Sequence, residues 1–217
     1  VSFKNVFYEM KWFLNGDCNV KFLQDHGVKI WNWNAEQHGS TDLGPIYGKQ
    51  FRASGKNNVD QIAYCLDLIK NEPTSRRIVI SLWNPSDLGE QALPCCHGTT
   101  IQFFVKGQYL SLQMYQRSAD MCLGVPYNIA SYSLFLLMMA HCANLVPGKV
   151  RIVFGDAHIY ETHTETAKEQ CKRFPICFPA IRIKDTVKHK DPADFGFNDF
   201  VLTDYYPQGK LSYSFIV

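Results

Sequence analysis

The sequence predicts a single α+β domain in which a mixed or antiparallel sheet of about six strands packs on one long buried helix. Two observations predict this fold class. Apolar residues recur at helical spacing through the first third of the chain, whereas β-branched runs dominate after residue 76. Residues 129–145 are apolar almost all round, which is typical of a helix buried in a core. Helices followed by strands favour an α+β fold, and 217 residues suit one domain spanning 1–217.

The first third of the chain is predicted to be mostly helical. Residues 1–14 carry apolar side chains at helical spacing and end before the helix-stopping pair Asn15-Gly16. Further helices are expected at residues 19–26 and 59–71. The stretch between them, residues 31–55, is rich in Asn, Gly, Ser and Pro and is interpreted as loop.

The remainder of the chain alternates strands with two helices. The central strands form a hairpin around Lys106-Gly107-Gln108. Besides the buried helix, residues 160–173 form an exposed amphipathic helix. The strands are expected at residues 77–83, 101–105, 109–115, 150–154, 180–184 and 211–217.

Composition excludes several classes of protein. A hydrophobic fraction of 46% argues against disorder, and a net charge of +2 argues against a dedicated nucleic-acid binder. Residues 129–145 are too short and too polar to span a bilayer, and no signal peptide is visible. Because the chain opens at Val1, without Met, close to a helix, we expect that an N-terminal segment is missing.

The eight cysteines fit neither a secreted disulfide framework nor a zinc template by their spacing. We therefore expect free thiols in the cytoplasm (the host cytoplasm if the protein is viral) and no metal. One pair, Cys95-Cys96, directly precedes His97 and a predicted strand. Either cysteine is a nucleophile if a nearby cation lowers its pKa, or both are ordinary buried thiols.

Two arginine segments can bind anions. The segment that contains Arg117, Ser118 and Asp120 ends a long strand and suits phosphate, because arginine forks onto phosphate and serine adds a donor. The alternative is a solvated turn with an Arg117–Asp120 pair. Arg76 and Arg77 begin another strand, where one can face a partner, or both can be solvated.

Three further positions allow a structural or a functional interpretation. Asn128 is either the N-cap of the buried helix or an amide that pairs with the edge of a heterocycle. Asp156 either caps a turn, or the turn presents His158 and Tyr160 to ligand hydroxyls. Glu9 lies among aromatic residues and is either solvated or an acid of raised pKa in a cleft.

Seven sequence blocks, taken together, closely resemble the thymidylate synthase family, which also includes the pyrimidine hydroxymethylases. The blocks occur in the family's order and extend over essentially the whole chain. They are residues 12–17, 42–50, 75–78, 96–97, 115–120, 123–132 and 155–160.

The resemblance implies a methyltransferase of dTMP biosynthesis with dUMP as substrate and 5,10-methylenetetrahydrofolate as co-substrate. Cys96 would add to carbon 6 of the uracil, and the one-carbon unit would be joined to carbon 5 and reduced, giving dTMP and dihydrofolate. The resemblance also implies an obligate homodimer, in which the sheets of the two subunits face each other across the dimer axis. Arg76 and Arg77 would then reach the partner's phosphate site, and neither nucleic acid nor membrane is expected as a partner.

The resemblance also assigns roles residue by residue. The implied catalytic residues are Cys96, Glu9, Tyr47, Arg117, Asp120 and Asn128. The implied dUMP contacts are Arg76, Arg77, Arg117, Ser118, Ala119, Asp120, Asn128, His158, Ile159 and Tyr160. The implied folate contacts are Asp120, Trp31, Leu123, Gly124, Tyr127 and Ile216.

Two rival functions stay open. A dUMP hydroxymethylase would share the fold and the thiolate adduct, but water rather than hydride would complete its reaction. A non-catalytic RNA-binding or interaction protein would share only the fold. The chain departs from the family's usual pattern at Cys95, where proline or a small residue is common, at Gln208, and at its carboxyl end.

Overall fold

A computed structural model describes residues 1–216 as one α+β domain, which confirms the predicted fold class. It contains seven α-helices and six strands among those residues. The helices are α1 (Phe3–Leu14), α2 (Lys21–Asp25), α3 (Asn32–His38), α4 (Tyr47–Arg52), α5 (Gln61–Asn71), α6 (Gly124–Cys142) and α7 (Thr164–Cys171). The strands are β1 (Val79–Ile80), β2 (Thr100–Lys106), β3 (Tyr109–Asp120), β4 (Val146–His158), β5 (Ala180–Ile183) and β6 (Phe200–Thr203).

The six strands form two sheets rather than one. The main sheet has the order β1-β2-β3-β4, and β5 pairs with β6 in a separate antiparallel pair. β2 and β3 form the predicted hairpin, whereas β3 and β4 run parallel, because α6 carries the chain back between them. The carboxyl ends of β3 and β4 therefore lie side by side.

The core lies between the helices and one face of the main sheet. α6 contributes Phe135 and Met139, both fully buried, and α1 contributes Trp12 and Phe13. The low polarity of α6 follows from this position. No helix within residues 1–216 is long and apolar enough to cross a membrane.

The opposite face of the main sheet is exposed and partly apolar. Phe104 on β2, Tyr115 on β3 and Val153 on β4 are 65%, 44% and 45% exposed, and Tyr115 pairs with Val153 in the strand register. Side chains alternate between the faces of a strand, so this face is continuous across the sheet. Large exposed apolar patches often mark interaction surfaces.

The prediction of a strand at residues 77–83 is confirmed only for Val79–Ile80, which pairs with β2. The residues on either side of this pair are not part of the strand. Gln61 of α5 binds the next residue instead: its amide nitrogen donates to the Ser81 carbonyl at 2.8 Å, and its amide oxygen accepts from the Ser81 backbone N–H at 2.9 Å. A helix side chain therefore satisfies the backbone groups that a longer strand would pair.

The strand predicted at residues 211–217 is absent from residues 211–216, and Val217 lies outside the described residues. Side chains of the preceding helical segment hold this part of the chain. The His163 ring donates from Nε2 to the Ser214 carbonyl at 2.8 Å, and the Tyr213 hydroxyl donates to Gln170 at 2.6 Å. β-Branched composition alone does not reveal such anchoring.

Several helix boundaries also differ from the prediction. Residues 31–55 contain the short helices α3 and α4, whose packing overrides their loop-like composition. α6 begins at Gly124, five residues before residue 129, because Pro126 is tolerated in a first turn. The helix predicted at 160–173 is a 3-10 turn, Glu161–His163, followed by α7.

Candidate active site

The Cys96 segment lies in the loop between β1 and β2 and is fixed from two sides. The Cys96 backbone N–H donates to the Tyr47 hydroxyl at 2.8 Å, and the Cys96 carbonyl accepts from the Arg117 backbone N–H at 2.9 Å. Two residues later Gly98 adopts a φ of +67°, where a Cβ would clash with the Tyr132 hydroxyl. The loop therefore presents Cys96 toward β3 in one defined conformation.

The thiol of Cys96 is next to a cation. Its Sγ lies 3.7 Å from Nη2 of Arg117. Burial raises the pKa of Cys96 above its ordinary value of 9.0, and Arg117 opposes that rise. Burial raises the pKa of the neighbouring Cys95 thiol to about 12. Cys96 is thus the more readily ionised of the two.

Arg117 is held against the Cys96 loop rather than paired with Asp120. Its Nε donates to the Cys95 carbonyl at 2.9 Å and its Nη2 to the Pro94 carbonyl at 3.0 Å. The guanidinium also stacks over Trp83, 5.3 Å from the ring centroid. The alternative of a solvated turn with an Arg117–Asp120 pair is wrong, because β3 continues through Asp120 and the Nε and Nη2 donors of Arg117 are bound to the Cys96 loop.

Glu9 is partly buried among aromatic rings and accepts a hydrogen bond from Nε1 of Trp31 at 2.7 Å. Desolvation raises the pKa of Glu9 to about 7, although the Trp31 bond opposes the rise. Trp31 contacts Tyr47 edge-on, with ring centroids 5.9 Å apart. Of the two readings of Glu9, the structure supports an acid of raised pKa.

The residue after Cys96 faces the core. His97 stacks on Tyr47 with ring centroids 4.6 Å apart, and its Nδ1 lies 2.9 Å from the Tyr132 hydroxyl. Burial lowers the pKa of His97 to about 3. An imidazole with so low a pKa is a weak base near pH 7. We therefore interpret His97 as a residue that positions Tyr47 and Tyr132 rather than as a general base.

Asn128 lies inside α6, so the prediction that it is the helix N-cap is wrong; Leu123 occupies the cap position. The amide nitrogen of Gln116 donates to Oδ1 of Asn128 at 2.9 Å and to the Ser118 carbonyl at 3.1 Å. A carbonyl only accepts, so the Ser118 contact fixes the orientation of the Gln116 amide, which in turn orients Asn128. Among the described residues, Nδ2 of Asn128 has no acceptor.

The ends of β3 and β4 bring further candidates together. Asp120 pairs with His158 in the parallel register, and Ala119 pairs with Ala157. Oδ1 of Asp120 accepts from the backbone N–H groups of Cys122, at 3.0 Å, and Leu123, at 3.3 Å. This fixed carboxylate lies at the start of α6.

Tyr160 lies two residues after the end of β4 and near this carboxylate. The prediction of a turn capped by Asp156 is wrong, because Asp156 lies within β4 and its carboxylate is 3.3 Å from Nδ1 of His158. Burial raises the pKa of Tyr160, and Asp120 and Cys96 add to the rise. Ile159 is 53% exposed between His158 and Tyr160.

The start of α6 and the carboxyl-terminal segment border the same region. Leu123, Gly124 and Tyr127 are partly exposed there, and the Tyr127 hydroxyl accepts from the Ser2 backbone N–H at 3.3 Å. The Tyr160 hydroxyl lies 3.5 Å from the Ile216 carbonyl. The last described residues therefore reach the candidate site.

Arg76 and Arg77 are exposed in the turn that joins α5 to β1. Within residues 1–216 neither guanidinium forms an ion pair. They have no contact with the Cys96 thiol in the same chain, unlike Arg117.

A thiol beside a guanidinium, an oriented amide and an acid of raised pKa are the groups of a covalent enzyme that acts on an anionic heterocyclic substrate. Comparison with known families agrees with this class. The thymidylate synthase family model matches residues 1–217, and the chain belongs to that family. Membership supports an enzyme of the methyltransferase kind in dTMP biosynthesis, with folate-dependent methylation of dUMP as its general activity.

Sequence reasoning missed three positioning residues. Trp83 supports Arg117, Gln116 orients Asn128, and Tyr132 binds His97. Gln116 lies directly beside Arg117 in the same block, so a polar residue on the buried side of a strand was the available signal. Trp83 and Tyr132 come close to the site only through tertiary packing.

Proposed function

We propose that the chain converts dUMP and 5,10-methylenetetrahydrofolate to dTMP and dihydrofolate through a covalent adduct on Cys96. The observation that supports this proposal most strongly is the 3.7 Å contact between the Cys96 thiol and Arg117, in a chain that belongs to the thymidylate synthase family. When bound, the folate supplies the one-carbon unit and the hydride that reduces it. The residues of the chain bind and activate the nucleotide.

The electron flow follows from the residue types. The Cys96 thiolate donates its electron pair to carbon 6 of the uracil, and the ring electrons move to carbon 5 and onto the carbonyl oxygen at carbon 4. The Nδ2 donor of Asn128 pairs with the uracil edge and stabilises that charge. Carbon 5 would then use this electron pair to bond to the one-carbon unit that folate supplies. After loss of the carbon 5 proton and reduction of that unit by the folate hydride, an electron pair is again available on the ring and expels the thiolate, so Cys96 is regenerated.

Proton transfers fall to Glu9 and Tyr47. A pKa of about 7 makes Glu9 suited to both taking and giving a proton near neutral pH. We propose that Glu9 transfers protons to and from the uracil edge through a water molecule. Tyr47 assists removal of the proton from carbon 5, since its hydroxyl already accepts from the Cys96 backbone.

The nucleotide's phosphate and sugar would be held at the ends of β3 and β4. Nη1 of Arg117 donates to none of the described residues and would bind phosphate together with Ser118. His158 and Tyr160 would hold the 3′-hydroxyl. The remaining proposed contacts are the short segment Ala119-Asp120 and Ile159.

The residues around Asp120 fit a folate. Backbone N–H groups hold Oδ1 of Asp120, and Oδ2 accepts from none of the described residues and can pair with a heterocycle. The other proposed folate contacts come from the starts of α3 and α6, including the residue before each helix, and from the carboxyl-terminal segment. They are Trp31, Leu123, Gly124, Tyr127 and Ile216.

We further propose a homodimer formed through the exposed face of the main sheet. Phe104, Tyr115 and Val153 support it, because such apolar exposure disfavours an isolated subunit. Arg76 and Arg77 precede β1 at an edge of that sheet and would enter the partner's phosphate site. Unpaired thiols at all eight cysteines favour a cytoplasmic location.

One assay separates the proposal from its two rivals. The protein is incubated with dUMP and methylenetetrahydrofolate while dihydrofolate absorbance is followed. We expect dihydrofolate to form in step with dTMP. A dUMP hydroxymethylase would give tetrahydrofolate and a hydroxymethyl nucleotide, and an RNA-binding or interaction protein would give neither product.

A further inference from the structure

Three side chains of different chemistry converge beside the candidate site. Asp120 ends β3, Cys122 lies in the turn that follows, and His163 ends the 3-10 turn after Tyr160. Their carboxylate oxygen, sulfur and ring nitrogen lie within 4.8 Å of one another. No role in the proposed reaction uses Cys122 or His163.

The hydrogen bonding of His163 leaves one nitrogen facing this cluster. The Ser214 carbonyl can only accept, so the contact at 2.8 Å requires a proton on Nε2. In the neutral ring the lone pair is then on Nδ1, which lies 3.8 Å from Oδ1 of Asp120, too far for a hydrogen bond. His163 is 1% exposed, and Nδ1 has no partner among the described residues.

This arrangement is the one that metal-binding histidines adopt. A ligating imidazole commonly donates its other N–H to a backbone carbonyl, which fixes the tautomer and the ring orientation. The ring of His163 is also held edge-on between Tyr160 and Tyr213, at centroid distances of 5.4 and 5.1 Å. An unpartnered, buried and oriented nitrogen therefore points to a ligand.

We propose that Asp120, Cys122 and His163 bind Zn²⁺ as a three-residue site with a fourth position for water. Sulfur, imidazole nitrogen and carboxylate oxygen are the usual zinc ligands. At bond lengths of about 2.0–2.3 Å, tetrahedral ligand atoms stand roughly 3.3–3.7 Å apart. The His163 nitrogen and the Asp120 oxygen, 3.8 Å apart, are close to that spacing, and all three ligand atoms lie within 4.8 Å of one another, so closure requires movements on the order of 1 Å. Carboxylate and thiolate together balance the charge of the dication.

Solvent reaches the site, because the Asp120 side chain is 18% exposed and Cys122 is partly exposed. A zinc ion on Oδ1 of Asp120 would neutralise the charge of the carboxylate whose Oδ2 we assign to folate. Zinc would therefore oppose folate binding, a consequence that rests on the proposed function. Metal binding itself does not rest on it, and the test below measures metal alone.

The test is titration of the full chain with Co²⁺, whose bond to a thiolate gives a near-ultraviolet charge-transfer band, followed by displacement with Zn²⁺. We expect one Co²⁺ per chain and loss of the band in Cys122→Ser, with affinity lowered by about tenfold or more. Cys171→Ser, which removes an exposed thiol of α7, and Cys96→Ser are the controls, and both should keep the band. Urea unfolding checks that each variant is folded.

Two results would overturn the zinc site. One is a wild-type chain that fails to bind one Co²⁺ with a thiolate band. The other is a band that persists in folded Cys122→Ser or that disappears with Cys96→Ser, which would place the metal on the nucleophile. A metal site in a chain that is inactive even when metal-free, by contrast, would contradict only the proposed function.

Discussion

Cys95 and Cys96 are neighbours whose surroundings predict different reactivity. Cys96 contacts Arg117, whereas burial raises the pKa of Cys95 to about 12. Cys96→Ser should lower kcat by about 10³-fold or more, and Cys95→Ser should keep most activity. Steady-state kinetics measures both. Labelling by 5-fluoro-dUMP and folate should map to Cys96 by peptide mass analysis, and a label on Cys95 would refute the assignment.

Glu9 predicts a pH effect on stability that is separate from catalysis. Its pKa is about 7 in the folded chain against an ordinary 4.5, so the folded state holds more protons between these values. Glu9 should therefore lower the free energy of unfolding by up to about 3 kcal/mol as pH rises from 4.5 to 7. Because the low pKa of His97 acts in the opposite direction below pH 6.5, the effect is measured as the difference between the wild type and Glu9→Gln, which should change by that amount across the range. Urea unfolding of both proteins across that range measures it, and parallel pH profiles would show that Glu9 ionises normally.

At the residue scale, side chains within one sequence block were predictable, and their supporting contacts were not. The block around Arg117 gave the anion-binding candidate, but not the carbonyls of Pro94 and Cys95 that hold its guanidinium. Likewise the sequence indicated Asn128 as a candidate for binding a heterocycle. It did not reveal that α6 begins at Gly124, which places Asn128 inside the helix.

At the element scale, long periodic segments were predictable, and short or side-chain-anchored ones were not. The hairpin of β2 and β3 and the buried helix α6 follow from residue pattern. β1 is shorter than its β-branched sequence implies, because Gln61 binds the backbone of Ser81. Tertiary contacts of this kind override local propensity.

The loop that carries Cys96 depends on Gly98. At φ +67° an alanine is strained, and its Cβ would also lie 2.7 Å from Leu82. Gly98→Ala should lower the free energy of unfolding by about 2–4 kcal/mol and reduce kcat by displacing Cys96. Gly107→Ala is the matched control, because Gly107 also has a positive φ, +59°, but an added Cβ there would meet no atom within 4 Å. It should lower the free energy of unfolding by only about 1–2 kcal/mol. Equal losses in urea unfolding would exclude the clash.

At the scale of the whole molecule, the exposed sheet face and the unpaired Arg76 and Arg77 both favour sites shared between two subunits. Cys96→Ser and Arg77→Ala should each be nearly inactive alone. Mixed and allowed to exchange, they should regain activity, because one site of each hybrid then holds both wild-type residues. An active monomer in sedimentation, or no recovery after demonstrated exchange, would contradict shared sites.

The most direct test of the central claim is the mass of the nucleotide product formed from dUMP and methylenetetrahydrofolate. Methyl transfer with hydride reduction makes the product heavier than dUMP by one CH₂ group and forms one dihydrofolate for each dTMP. We predict this product from the wild-type chain and its loss in Cys96→Ser. A product heavier by CH₂O, with tetrahydrofolate released, would show a hydroxymethylase, and unchanged dUMP with folded protein would contradict the enzymatic account altogether.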